Sequence, residues 1–291
     1  MTKIDDKYNS LLIADAHVHF WDLTLLNYPW LADVAAINRS FGLADYEAAT
    51  QGIPISDMIF VQCECLPSDY QAEVDYVTAL ARKEPRIRAI IPYFPLEAAD
   101  AEEQLLALMR NNLVKGIRRL EEEPMSLYRD PRFISNMALL NRHNLSFDLG
   151  VKAHQLPAAV HLVQAAPHNR YILDHFGKPD IKTGEFAQWR SNLSALAAYP
   201  TVYCKLSGLV TEADRETWNI ADLQPYVDTA LEYFGPDRLA FGGDWPVVTL
   251  ASSYTRWYEA AQQLCRALAP QEMANLFYHN ALDFYQISKR A

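Results

Sequence analysis

Short runs rich in β-branched and aliphatic residues punctuate this chain at 11–16, 57–63, 87–92, 113–118, 145–149, 170–174, 201–206 and 238–242. After each run the apolar positions change from strand-like to helix-like spacing. The spacing predicts helices over 68–84, where Val74, Val77 and Leu80 share a face, and over 100–111, 131–143, 155–166, 185–198, 222–234, 253–267 and 270–286. Strands alternating with helices pair in parallel through right-handed crossovers, and eight strand units imply one closed (β/α)8 barrel, an α/β fold. No linker, repeat or charge block divides residues 1–291, so a single domain is expected, with 1–10 as a flexible N-terminal extension. An open doubly wound sheet is the alternative. It carries a glycine-rich turn after its first strand, where this chain has His17-Val18-His19.

Composition narrows the function classes. Half of the 291 residues are hydrophobic, enough for a large core, and the net charge of −10 disfavours nucleic acid and anionic membranes as partners. No segment reads as a signal peptide or a bilayer span, so a soluble cytoplasmic protein is expected. Cys63, Cys65, Cys204 and Cys265 are too few for a disulfide scaffold and lack zinc-site spacing, and read as reduced packing residues.

A barrel gathers its reacting groups at the carboxyl ends of its strands. His17 and His19 stand after the first run and Glu64 after the second. Arg118 and Arg119 follow the fourth, Asp174 and His175 the sixth, Lys205 and Ser207 lie in and after the seventh, and Asp244 follows the eighth. Two residues apart on an extended chain, the rings of His17 and His19 face the same way and can converge on one metal ion or one polarised oxygen. Taken alone, the pair reads equally well as histidines bonded to backbone. Asp244 follows Gly242-Gly243, where the backbone can turn sharply; its bland alternative is a helix cap.

Four motifs in order, Asp15-Ala16-His17-Val18-His19-Phe20-Trp21, Leu173-Asp174-His175-Phe176-Gly177-Lys178-Pro179, Cys204-Lys205-Leu206-Ser207-Gly208-Leu209 and Gly243-Asp244-Trp245-Pro246, resemble the amidohydrolase superfamily. Within it they resemble the branch of sugar lactonases and pyrone-dicarboxylate lactonases, from about residue 11 to about residue 285. The stretch from Lys205 to Asp214 is most similar to the L-fucono- and L-rhamnono-lactonases. The resemblance implies a TIM-like barrel, lactone hydrolysis, and roles for the first-strand histidines, His175 and Asp244. It also implies, for dinuclear members, a carboxylated lysine and a histidine after the fifth strand. Here those strands read Lys115-Gly116-Ile117-Arg118 and Ser146-Phe147-Asp148-Leu149-Gly150, with His154 several residues on, which argues against two metals.

The expected reaction opens a sugar (aldono-)lactone, with Asp244 as general base and His17, His19 and His175 either holding one divalent ion, zinc by ligand type, or acting metal-free as hydrogen-bond donors. Glu64 would complete a mononuclear shell, and Arg118 and Lys205 would face the developing oxyanion. Arg119 reads as a solvated partner of the Glu121–Glu123 run. Phe20, Trp21, Tyr28 and Trp30, with Trp245 and Ser207, would contact the sugar; the directions of Tyr70 and Tyr93 are open. The partner is thus a small lactone, and a homo-oligomer is left open. The rival readings are a pyrone-dicarboxylate lactonase, a metal-dependent decarboxylase of the same superfamily, and a non-catalytic sugar-binding barrel.

Overall fold

The computed structural model describes residues 11–120 and 125–289. The expectations for residues 1–10 and for the Glu121–Glu123 run lie outside them. Eight parallel strands appear among the described residues, each within a few positions of its predicted run: β1 (Ile13–Val18), β2 (Ile55–Val61), β3 (Ile87–Ile91), β4 (Gly116–Arg118), β5 (Ser146–Leu149), β6 (Arg170–Leu173), β7 (Val202–Leu206) and β8 (Leu239–Phe241). Hydrogen-bonded ladders join β1-β2-β3 and β4 through β8.

Two seams close these ladders into a cylinder. Between β3 and β4, Ile90 N–H donates to Leu113 O (2.7 Å) and Arg118 N–H to Pro92 O (2.9 Å). Between β8 and β1, Asp244 N–H donates to His17 O and His19 N–H to Trp245 O, both at 2.8 Å. The result is a (β/α)8 barrel of the TIM type, as the strand–helix alternation predicts.

Helices follow the strands: α1 (Leu43–Ala49), α2 (Tyr70–Ala81), α3 (Ala101–Leu108), α4 (Pro131–Arg142), α5 (Leu156–Ala165), α6 (Ala187–Ala197), α7 (Leu209–Glu212), α8 (Ile220–Phe234), α9 (Tyr254–Leu264), α10 (Pro270–Ala274) and α11 (Asn280–Phe284). Local chemistry sets several starts. Asp130 caps α4 by accepting from Phe133 N–H (2.8 Å) ahead of Pro131, and Ser253 caps α9 through Arg256 N–H (3.1 Å). α1 and α7 escape the periodicity because they are only seven and four residues long. The predicted 270–286 helix is interrupted by a π-helical turn at Asn275–His279.

The strands sort their side chains into two cores. Outward-facing Met58, Phe60, Ile90, Ile117, Phe147 and Phe241 pack under the helices. Inward-facing Ala14, Ala16, Ile59, Val61, Ala89, Ile91, Ile172 and Ala240 form a second cluster with Tyr278, Leu282, Phe284 and Tyr285 of the C-terminal segment. That segment plugs the interior from one side and leaves the carboxyl ends of the strands open. Among the described residues no helix is long and apolar enough to cross a membrane.

Candidate active site

A cavity of about 890 Å³ opens at the carboxyl ends of the strands, and His19, Trp21, Trp30, Glu64, Arg118, Arg119, His175, Lys178 and Asp244 are among its lining residues. A smaller hollow of about 460 Å³ near Phe186 and Tyr226 carries the Lys182–Asp214 pair and no imidazole, so the chemistry belongs to the barrel mouth.

Simple alternation does not put His17 inside. Ala14 and Ala16 face the interior, so an even ladder would send His17 outward with Asp15. The register shifts between Asp15 and Val18, and that irregularity turns His17 inward, where its ring meets Arg118, Asp174 and Lys205. Asp15 stays on the outer side of the barrel wall. Its Oδ1 accepts from His17 N–H (3.1 Å) and Gly243 N–H (2.7 Å), and its Oδ2 from the hydroxyls of Tyr46 and Tyr254, both at 2.9 Å. Burial raises the Asp15 pKa despite these four donors. Gly243 is required here: a Cβ would lie 2.2 Å from the Tyr254 ring and 2.7 Å from the Asp15 carboxylate.

Glu64, His175 and Asp244 all have left-handed backbone, with φ of 56°, 53° and 52°. Such conformations cost a non-glycine residue energy and collect at functional sites. At the His175 turn, Gly208 approaches so closely that a Cβ would sit 2.6 Å from the imidazole.

The buried groups converge on one point. His17 Nε2 lies 3.1 Å from His19 Nε2, and Asp244 Oδ1 lies 3.5 Å from His19 Nε2, 3.8 Å from His175 Nε2 and 3.9 Å from His17 Nε2. His19 Nδ1 is held by Val61 O at 2.7 Å and His175 Nδ1 by Ser207 Oγ at 2.8 Å. Burial raises Asp244, but His175, His19 and His17 outweigh it and hold the carboxyl well below the usual range. Burial, with Lys205 and despite Asp174, holds His17 well below its usual value; burial, despite Asp244, lowers His175 to about 4. At neutral pH the site therefore presents an ionised acid facing the neutral imidazoles of His17 and His175.

These donors fit a divalent ion. Nitrogen and oxygen ligands about 2.0–2.1 Å from a tetrahedral zinc stand roughly 3.3 Å apart, close to the separations above. The ligand atoms of His17, His175 and Asp244 all lie within 4.8 Å of one another, with His19 alongside. Glu64 is not in this set. Its carboxylate and its backbone N–H are both engaged by the Gln62 amide, and it lines the cavity wall.

The structure moves several expected residues out of the cavity. Lys205 is fully buried behind His17, bound to Asp148 (2.6 Å), Asp174 (2.9 Å) and His17 Nδ1 (3.1 Å), and does not line the cavity that an oxyanion would enter. Ser207 is spent on His175, and Trp245 is packed against Phe20, Phe41 and Tyr46, so neither lines the space for a sugar. Phe20 and Tyr28 are core residues, and Tyr70 packs on Tyr93. Trp21 and Trp30 do line the cavity, edge to face, with indole N–H groups tied to Arg39 O and Cys63 O. Arg119 pairs with Glu97, and Arg118 bridges Asp174 (3.0 Å) and Gln62 O (2.6 Å) while its Nε has no partner. His154 is exposed in a short 3-10 turn, away from the cluster.

Asp174 and Asp148 were given no role by the sequence argument. Asp174 lies between His17, Lys205 and Arg118; burial raises it, but those cations and His17 prevail and keep it well below the carboxylate range. Asp148 signals itself as the one charge within the apolar β5.

Comparison with known proteins adds an independent line. The amidohydrolase family profile matches residues 14–287. The chain is 33% identical over 282 residues to an L-fucono-1,5-lactonase of Burkholderia ambifaria, covering 94% of this chain and 96% of that one. It is 26% identical over 290 residues to an L-rhamnono-gamma-lactonase of Scheffersomyces stipitis, covering 89% and 84%. A crystal structure of an amidohydrolase from Burkholderia multivorans with bound zinc superposes with a TM-score of 0.87 at 31% identity, covering 95% of this chain and all of the other.

Proposed function

Because this chain belongs to the amidohydrolase family, we propose that it is a lactonase that hydrolyses the ring ester of a neutral sugar lactone to the aldonic acid. One observation carries the reading: Asp244, His19, His175 and Arg118 line a cavity walled by Trp21 and Trp30, with His17 buried directly behind them. The lactonases among its relatives support it.

Asp244 takes a proton from the attacking water at Oδ1, the oxygen nearest His19. Hydroxide adds to the lactone carbonyl, and Arg118, whose side chain lines the cavity, stabilises the tetrahedral oxyanion. The ring C–O bond then breaks, and the ring oxygen takes the proton from Asp244. The neighbouring imidazoles keep the Asp244 carboxyl ionised, so it stands ready as a proton acceptor at physiological pH. The indoles stack on the apolar face of the sugar, and Glu64 accepts from its hydroxyls. The residues that would hold a divalent ion are His17, His175 and Asp244, with His19 beside them, and zinc is our choice from the donor set and the zinc-bearing neighbour. When bound, such an ion supplies Lewis acidity to the water or the carbonyl.

A pH-indicator assay over L-fucono-, L-rhamnono-, L-galactono- and D-arabinono-lactones, with the pyrone dicarboxylate and an aromatic carboxylic acid as contrasts, tests the proposal. Turnover confined to the sugar lactones is the expected result. Failure on all of them, or carbon dioxide release from the aromatic acid, would overturn it. Elemental analysis with chelation tests the ion: full activity in a demonstrably zinc-free sample removes it from the reaction.

A further inference from the structure

Four consecutive residues, His175, Phe176, Gly177 and Lys178, have left-handed backbone, with φ of 53°, 54°, 68° and 47°. Lys178 N–H donates back to His175 O at 2.8 Å, so the segment closes as a tight three-residue turn of the uncommon hand. Three of the four are not glycine, and strain of this kind persists only where the surrounding structure enforces it, most often at functional sites. Side chains three apart in such a turn eclipse one another. Lys178 therefore projects from the same face as His175, about 6 Å further along the turn at roughly 2 Å of rise per residue, and both line the cavity. The strained turn delivers two side chains to the site, and the reaction as described uses one.

The other cations of the wall are spent or exposed. Arg118 is bound to Asp174 and Gln62 O, Arg119 to Glu97, and Lys152 is exposed where Lys178 is half-buried. Among the described residues the Lys178 ammonium faces only Glu212 Oε1, at 3.9 Å, too far for a hydrogen bond, so its three N–H donors are open to a ligand. Glu212 ends α7 and does not line the cavity; it acts through Lys178. We propose that Lys178 is a specificity-determining residue that donates to a hydroxyl of the lactone, and that Glu212 makes this point a place for a neutral hydroxyl and not for a carboxylate. A lone ammonium would welcome an acidic lactone. With Glu212 behind it, a carboxylate in bonding distance of Lys178 lies no more than about 7 Å from a like charge, inside the screening length of about 8 Å. The inference rests on the lactonase reading, and matched probes keep the two apart.

Three lactones with the same five-membered ring serve as probes, each read as substrate or as competitive inhibitor of the full chain. L-galactono-1,4-lactone carries hydroxyls, L-galactaro-1,4-lactone replaces its terminal CH₂OH by a carboxylate, and γ-butyrolactone has neither. Lys178→Met is expected to raise KM (or the inhibition constant) for L-galactono-1,4-lactone about tenfold, with kcat within threefold and γ-butyrolactone unchanged. Glu212→Gln is expected to shift the preference between the acidic and the neutral sugar lactone about tenfold toward the acidic one. Equal weakening of L-galactono-1,4-lactone and γ-butyrolactone by Lys178→Met, or a loss confined to kcat, overturns the proposal, because the lysine would then only support the His175 turn. An unmoved preference in Glu212→Gln also overturns it, and decides alone should Lys178→Met fail to fold, since Glu212→Gln leaves the turn intact. If the wild type turns over no neutral lactone, the lactonase reading falls and takes this one with it. Turnover with unmoved ratios sinks this one only.

Discussion

The two seams of the barrel are built differently. The β3–β4 seam is closed by backbone hydrogen bonds and apolar side chains, with Ile90 and Val114 bridged across it. The β8–β1 seam has its backbone bonds as well, and adds a buried carboxylate: Asp15 ties β1 to the Gly243 turn and is itself held by Tyr46 of α1 and Tyr254 of α9. Burying a charge is costly, and the raised pKa of Asp15 records that cost. A hydrophobic pair closes a seam more cheaply but fixes position less tightly. The carboxylate sits where His17 and Asp244 lie on opposite strands of one seam and must keep their separation; β3–β4 contributes only Arg118. Polar stitching is concentrated where two reacting groups have to be registered against each other.

The largest effect should come from the reacting acid. Asp244→Asn keeps the shape but cannot take a proton, and kcat/KM should fall about 10²–10⁴-fold, the usual contribution of a general base. A loss under tenfold would put the base elsewhere. Next comes the stitch. Asp15→Ala leaves two backbone N–H groups and two tyrosine hydroxyls without their acceptor and should cost about 3 kcal/mol in urea unfolding, with a fall in kcat as the His17–Asp244 separation loosens. Asp15→Asn should recover most of both, since its Oδ1 still accepts from His17 and Gly243 while the two hydroxyls rotate to accept from its amide. Equal losses in the two variants would mean that charge, not hydrogen bonding, holds this seam.

This contrast explains what the sequence revealed. The strand–helix alternation is a property of local periodicity, so all eight strands could be read from it. His17, His19, His175 and Asp244 were legible because each follows a strand, and a parallel barrel delivers strand ends to one mouth. What periodicity could not supply was the sense of each side chain around an irregularity. The shift between Asp15 and Val18 separates Asp15 from His17 although they are two residues apart, and no local pattern marks it. Lys205 lies one layer below the mouth, and neither its depth nor the pairing with Asp148 and Asp174 has a signature in spacing. Trp245 and Ser207 follow strand ends as the true lining residues do, and only packing turns them away.

The smallest effect tests the other half of the comparison. Ile90 is fully buried on the outer face of β3 and bridges to Val114 on the way to β4. Ile90→Val removes one methylene there without touching a hydrogen bond, and should lower stability by about 1 kcal/mol through lost transfer energy and a small cavity. Because Ile90 points away from the interior and its seam carries neither the imidazoles nor Asp244, kcat/KM should stay within twofold of wild type. If this slight loosening depressed kcat as Asp15→Ala is expected to, the barrel would be transmitting strain around its whole circumference, and the assignment of positional control to the β8–β1 seam alone would fail.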